Sequence, residues 1–281
     1  MFNPNNFFNA LLVIPILNAL IGLYKLLFIL KLPGAFGFAL ILLTVLIRLI
    51  LNPLMAAQIK SMRKMNKLKP EIDKLAAKYK DNKAQLQQEQ MKLFKREGIN
   101  PAAGCLPLLV QMPILIALYN LFFQILNNGN LSHVTAEINK VVYFSFLQIS
   151  SLDLSFFGLN LASKPADWQK TGIWLLLVPV ITGLLQYWQT KMMTPKSATL
   201  APASASTGQV PEKKKEEDMG TMMQKQMSIM MPLMIGFFAY TFPLGLSLYW
   251  NTFTIFGIIQ QYQINKQTAS ENDKNKKGKT S

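Results

Sequence analysis

Residues 36–57 read "FGFALILLTVLIRLILNPLMAA", twenty-two residues with no acid and one arginine, Arg48, just past the middle. As one helix the stretch reaches about 33 Å at a rise of about 1.5 Å per residue, enough to cross a hydrocarbon core with slight tilt. Arg48 is then a charge inside the membrane. Such an arginine costs about 2.5–3.5 kcal/mol on insertion scales, and a guanidinium cannot escape by losing its proton. Thr44, Arg48 and Asn52 recur at i, i+4 and i+8, a polar stripe that points to protein or water rather than to lipid.

The remaining chain fits a membrane setting. It has 281 residues, 51% of them hydrophobic, and its apolar residues gather in long blocks. Further spans are expected at Ala103–Leu126, Gly172–Gln189, Met227–Phe242 and Leu244–Tyr262, the last pair joined by a turn at Pro243, which makes five. The net charge of +15 could suggest nucleic acid, so the placement of the basic residues decides. Segment 58–100 carries 12 of them, 191–225 carries 6 and 264–281 carries 5, against 3 in 128–170. Alternating spans put the three rich segments on one side, the cytoplasm by the positive-inside rule, with the amino terminus outside and the carboxyl terminus inside.

Residues 7–30, "FFNALLVIPILNALIGLYKLLFIL", allow a sixth span, a signal peptide or a helix lying on the outer surface. A signal peptide fits poorly, because no basic region precedes the apolar run and no small-residue cleavage site follows it. The surface helix is preferred. Asn18, Gly22 and Lys25 share a face, and Pro33-Gly34 offers a corner into the first span. The expected organisation is an outer helix in 1–33, the first span in 34–57, a cytoplasmic helical hairpin in 58–100 and the second span in 101–127. An external loop at 128–170, the third span at 171–190, a disordered linker at 191–225, two spans at 226–263 and a polar basic tail at 264–281 complete it, the tail being read as disordered like the linker. The hairpin turns near Asp81-Asn82, and Gly98 ends its second arm.

The 14 acidic residues all lie outside the spans, so Arg48 has no carboxylate partner there. Its solvation must come from water, polar side chains, lipid phosphate or another polypeptide. Polar side chains are at hand: Gln111, Asn120 and Gln124 in the second span, Thr182, Gln186 and Gln189 in the third, and Ser247, Asn251 and Thr254 in the fifth. They serve either as hydrogen bonds between helices or as the lining of a wet cavity, and their convergence on one arginine favours the cavity. Cys105 and His133 are the only residues of their kinds, which excludes a disulfide framework and a His/Cys metal cluster within one chain. Intramembrane proteolysis lacks its nucleophile and base or its paired aspartates, and no Gly-rich phosphate loop is present. An enzyme and a cofactor are therefore not expected. Seven methionines lie between Met219 and Met234, either as core filling or as an adaptable surface for varied apolar segments.

These residues resemble the YidC/Oxa/Alb membrane protein insertases. "INPAAGCLPLLVQMPILIALYNLFFQ" at 99–124 is similar to that family's second conserved span, and "TVLIRLILNPL" at 44–54 to its arginine-bearing span. "QIKSMRKMNKLKPEIDKLAAKYKDNK" at 58–83 resembles the cytoplasmic hairpin, and "PLGLSLYWNTFTIFGIIQQY" at 243–262 the last span. The resemblance implies an all-α membrane fold of five helices around a hydrophilic groove open to cytoplasm and lipid, with an outer surface helix. It implies Arg48 as the groove arginine, with Gln111 in the matching Gln-Met-Pro; Thr44, Asn52, Asn120, Gln186, Gln189, Asn251 and Thr254 complete the expected client-binding groove. Met62, Met65, Leu68 and Tyr79 would receive clients on the hairpin, and Lys266, Lys274, Lys276, Lys277 and Lys279 would dock ribosomes. Nascent membrane proteins are the implied partners, with the ribosome, the Sec translocon and membrane lipid beside them and no sequence-specific nucleic acid; the implied location is a bacterial inner membrane. Phe253 and Thr254 stand where the family often has an asparagine pair, and no long segment precedes the first span to supply the large periplasmic domain of some members. A channel or small-solute transporter using the same groove is the alternative, and a scaffold for membrane complexes a third.

Overall fold

The computed structural model describes residues 2–80, 82–100, 106–127, 131–193 and 219–277. A π-helical turn, Asn9–Val13, leads into α1 (Ile14–Ile29), followed by α2 (Ala35–Ile50) and α3 (Asn52–Lys67). Then come α4 (Lys69–Lys78), α5 (Lys83–Arg96), α6 (Leu106–Asn127) and α7 (Leu131–Asn139). A short antiparallel hairpin, β1 (Ser155–Phe156) with β2 (Leu159–Asn160), precedes α8 (Trp168–Thr171), α9 (Leu177–Met193), α10 (Met219–Thr241) and α11 (Leu244–Lys277).

The first expected span is not one helix. α2 ends at Ile50 and the chain bends by 60° into α3. Pro53 explains the break, since it has no N–H to offer the Leu49 carbonyl and its ring crowds that turn. α2 alone, 16 residues, covers about 24 Å. Among the described residues, length and composition qualify Asn9–Ile29 and Ile173–Met193 as membrane spans, and the bent pair α2–α3 as a third if counted together.

α11 is the hub, packing against α9 and α2, while α10 lies along α9 and α1 along α2. The α9–α10 approach is close because Gly183 and Gly236 face each other: a Cβ on Gly236 would lie 3.4 Å from the Pro179 carbonyl oxygen. The apolar core joins Leu20, Ile21 and Tyr24 of α1, Phe36, Ala39 and Leu40 of α2, Leu118 and Phe122 of α6 and Tyr249 of α11. At the start of α11 two orphan helix donors are satisfied from segment 161–163, the Leu244 N–H giving to the Ser163 carbonyl and the Gly245 N–H to the Leu161 carbonyl.

The polar face read on residues 7–30 meets protein rather than water. Asn18 is buried, donating to the Val141 carbonyl at 3.1 Å and accepting the Tyr143 N–H at 2.7 Å. Lys25 gives hydrogen bonds to the carbonyls of Phe146 and Gln148, and a Cβ on Gly22 would lie 3.6 Å from Leu147. Segment 141–148 therefore covers the stripe that suggested a surface helix. Leu11, Leu26, Phe28 and Ile29 form the exposed side instead.

Two further readings change. The 191–225 linker is helical at both ends, in α9 to Met193 and in α10 from Met219; residues 194–218 lie outside the described ones. The tail is helical as far as Lys277, because Gln, Lys, Ala and Glu after Tyr262 are good helix formers and no Gly or Pro intervenes before Gly278. Between α4 and α5, Asn82 caps α5 by accepting the Gln85 N–H at 3.1 Å, and Gly98, at φ 62°, turns the chain out of α5. Leu68, Leu93 and Ile99 close a small core with Met65, Ile72, Leu75 and Phe94.

Candidate functional site

Arg48 occupies the last turn of α2, where a cation complements the exposed carbonyl end of the helix. It is only 3% exposed. Its Nη2 donates to the Phe253 carbonyl of α11 at 2.6 Å, and its guanidinium carbon lies 3.4 Å above the Phe253 ring and 5.9 Å from the Phe256 ring. No carboxylate pairs with it among the described residues. A backbone dipole and an aromatic face do that work, both strengthened where water is scarce.

Most of the other expected groove residues also meet α11. Gln111 of α6 donates to the Tyr249 hydroxyl at 2.6 Å, and Gln186 of α9 accepts from the Trp250 indole at 3.1 Å. Gln189 and Arg48 converge on Gly257, whose missing side chain leaves room for both; a Cβ there would lie 2.7 Å from the Arg48 Nη2 and closer still to the Gln189 amide. Asn52, displaced from the α2 stripe by the bend, is exposed and accepts from Gln260.

Some expected residues stand apart. The Thr44 and Thr182 hydroxyls turn back to the Leu40 and Val178 carbonyls of their own helices. Asn120 is half-buried on α6, and the side chain of Gln124 lies outside the described residues. On the hairpin, Met65 and Leu68 are packed into its small core and Tyr79 is half-buried beneath Lys78, whereas the Met62 side chain is outside the described residues. Lys266 is exposed; Lys274, Lys276 and Lys277 lie in α11 without described side chains, and Lys279 is not among the described residues.

Around Arg48 and along α11, polar atoms are buried without a hydrogen-bond partner among the described residues: Arg48 Nε, Gln111 Oε1, Ser247 Oγ, Asn251 Oδ1 and Thr254 Oγ1. An unsatisfied buried group costs about 1–3 kcal/mol, so a cluster of donors and acceptors is suited to water or to a polar chain segment. Phe253, Tyr249, Trp250 and Gln260 escape sequence reasoning, although a Gln260-Gln261 pair inside an apolar helix is itself a signal of inward-facing polarity.

The family model for the 60Kd inner membrane protein matches residues 28–272. The chain belongs to the YidC/Oxa/Alb family. Among relatives of this family, the membrane protein insertases YidC of Rickettsia felis and Rickettsia conorii are each 34% identical over 238 residues, covering 83% of this chain and 36% of theirs. The chain thus spans about a third of the length of these relatives. A crystal structure described as an active YidC insertase with its first transmembrane domain resolved superposes with a TM-score of 0.52 at 28% identity, covering 88% of this chain and 46% of that one. Membership in a family so described, with these apolar helices, makes this an inner-membrane protein of YidC-like helical fold.

Proposed function

We propose that the chain is a membrane protein insertase in which Arg48 draws short polar or acidic segments of nascent membrane proteins into a wet groove. The observation that carries this reading is the burial of a permanently charged guanidinium beside polar atoms that have no partner among the described residues. Water satisfies them at rest, and the polar segment of a client replaces it. Backbone groups crossing hydrocarbon cost several kcal/mol each when unsatisfied, so a groove reaching partway across lowers the barrier to translocation. The apolar part of the client leaves sideways into lipid, past exposed side chains such as Leu184 of α9 and Leu233 of α10. Client hydrophobicity supplies the driving force, with the membrane potential assisting acidic segments.

In this reading five spans surround the groove, helix 7–30 lies at the outer face, the amino terminus is outside and α11 ends in the cytoplasm. The hairpin 58–100 receives clients, and the ribosome and Sec translocon are partners. The 34% identity with YidC insertases supports the activity.

Reconstitution in pure-lipid vesicles tests it. Arg48→Ala should impair clients with an acidic translocated tail more than those with a neutral one. Arg48→Glu should fail with acidic tails and recover with a tail whose acids are replaced by lysine. Equal loss for both client types, with no charge-swap rescue, would make Arg48 a packing element. Solute flux without any client would favour a channel.

A further inference from the structure

Away from the polar cluster, the corner between α1 and α2 borders an open surface hollow of about 530 Å³ lined by Phe28, Ile29, Lys31, Leu32, Ala35 and Asp153. That volume is within the range of small-ligand sites, about 300–1,000 Å³. Its walls are apolar and open: Phe28, Ile29 and Leu32 are exposed, and Leu26 and Leu30 extend the same apolar strip along the end of α1. One cation and one anion stand in it. Lys31 takes a left-handed backbone conformation, φ 55°, at the corner. Asp153 is held from two sides: its N–H donates to the Tyr24 hydroxyl at 3.1 Å, and its carboxylate accepts the Ser155 N–H at 2.8 Å and the Ser155 hydroxyl at 2.9 Å. Each carboxylate oxygen keeps a free lone pair. Lys31 and Asp153 make no ion pair with each other among the described residues.

We propose that this pocket binds the headgroup of a phospholipid that carries a primary amine, with phosphate on Lys31, ammonium on Asp153 and the first acyl carbons against Phe28, Ile29 and Leu32. Two separated opposite charges in an apolar-walled pocket match a zwitterion with a tail. A purely anionic headgroup would leave Asp153 unpaired and facing like charge. A quaternary ammonium has no N–H to donate and is recognised by aromatic cages, whereas Phe28 is the single aromatic side chain here. The site would moor the corner at the outer leaflet, a placement that rests on the proposed orientation.

Native mass spectrometry of the full chain in detergent, with added phosphatidylethanolamine, phosphatidylglycerol or phosphatidylcholine of equal acyl length, tests the proposal. Phosphatidylethanolamine should be retained at least about fivefold over the other two, the scale of one charge-assisted hydrogen bond. Lys31→Gln and Asp153→Asn should each abolish that preference, while Lys140→Gln, whose lysine pairs with Glu137 outside the pocket, should preserve it. Lys31→Arg should keep it, which separates loss of the site from loss of the fold. Equal retention of the three lipids overturns the proposal. So does phosphatidylglycerol binding as tightly as phosphatidylethanolamine with only Lys31→Gln affected, the signature of a plain anion site. Client insertion measured in vesicles without phosphatidylethanolamine reports on the insertase reading separately.

Discussion

The Arg48 guanidinium lies 3.4 Å above the ring of Phe253 and donates a 2.6 Å hydrogen bond to the carbonyl of the same residue. That carbonyl is one helical turn before Gly257, and a side chain at 257 would fill the space that the guanidinium uses. A carbonyl oxygen has two lone pairs, so it can serve the helix and the arginine together. The position where the family often has an asparagine thus supplies an aromatic face and a backbone acceptor instead.

Phe253→Leu should keep the carbonyl contact and remove the cation–π contact. The expected loss is about 1–2 kcal/mol, because the contact is desolvated. It would be read as a lower unfolding midpoint in detergent, alongside an Arg48→Lys protein that keeps the charge but loses the planar fork. An unchanged midpoint in Phe253→Leu would show that the ring carries no weight.

Gly257→Ala should push the Arg48 and Gln189 side chains apart from α11, at a cost of about 1–3 kcal/mol for overpacking. If the damage runs through Arg48, the double variant Arg48→Ala/Gly257→Ala should be no worse than the more harmful single one. A double-mutant cycle on unfolding free energies measures this coupling, and simple additivity would place the damage elsewhere.

Asn18→Ala should strip the Tyr143 N–H of its acceptor and the Val141 carbonyl of a donor. Asn18 is buried, but Val141 is half-buried and Tyr143 exposed, so water can replace the lost partners in part and the cost is about 1 kcal/mol, the net worth of an ordinary hydrogen bond. Limited proteolysis should then cut near Lys140 faster than in the parent protein, while α9–α11 stay protected. Unchanged cleavage would mean that segment 141–148 does not depend on Asn18.

The long apolar runs made α6, α9, α10 and the start of α11 legible as helices, because each run is too long for a strand and is bounded by polar or turn residues. Pro53 was visible but silent: hydropathy averaging runs straight across a bend. The stripe of Asn18, Gly22 and Lys25 was visible too, yet a polar face looks the same whether water or a protein carbonyl meets it. The short elements between α7 and α9 escaped because β1 and β2 are two residues each and α8 is four, too short for any periodicity. Arg48 announced itself as a charge in need of a partner. Its acceptor could not be read, since a backbone carbonyl 205 residues away is present at every position and marked at none.

The helical continuation of α11 bears on the proposed ribosome docking. From Lys266 to Lys277 the helix axis advances about 16 Å, so the lysines of this stretch are carried at fixed intervals instead of on a loose chain. The tail is also held at its base, about two thirds of the way along α11: Arg63 of α3 donates to the Ile264 carbonyl at 2.9 Å and to Asn265. Truncation after Asn265 removes all five tail lysines and should reduce ribosome co-sedimentation most at low ionic strength, because contacts between basic side chains and RNA phosphates weaken with salt. Ala269→Pro retains every lysine but interrupts the helix. If regular spacing matters, that variant should bind between the full-length and truncated proteins; if only charge matters, it should bind like the full-length protein. Equal co-sedimentation of the full-length and truncated chains at low salt would overturn the proposed role of the tail in ribosome docking.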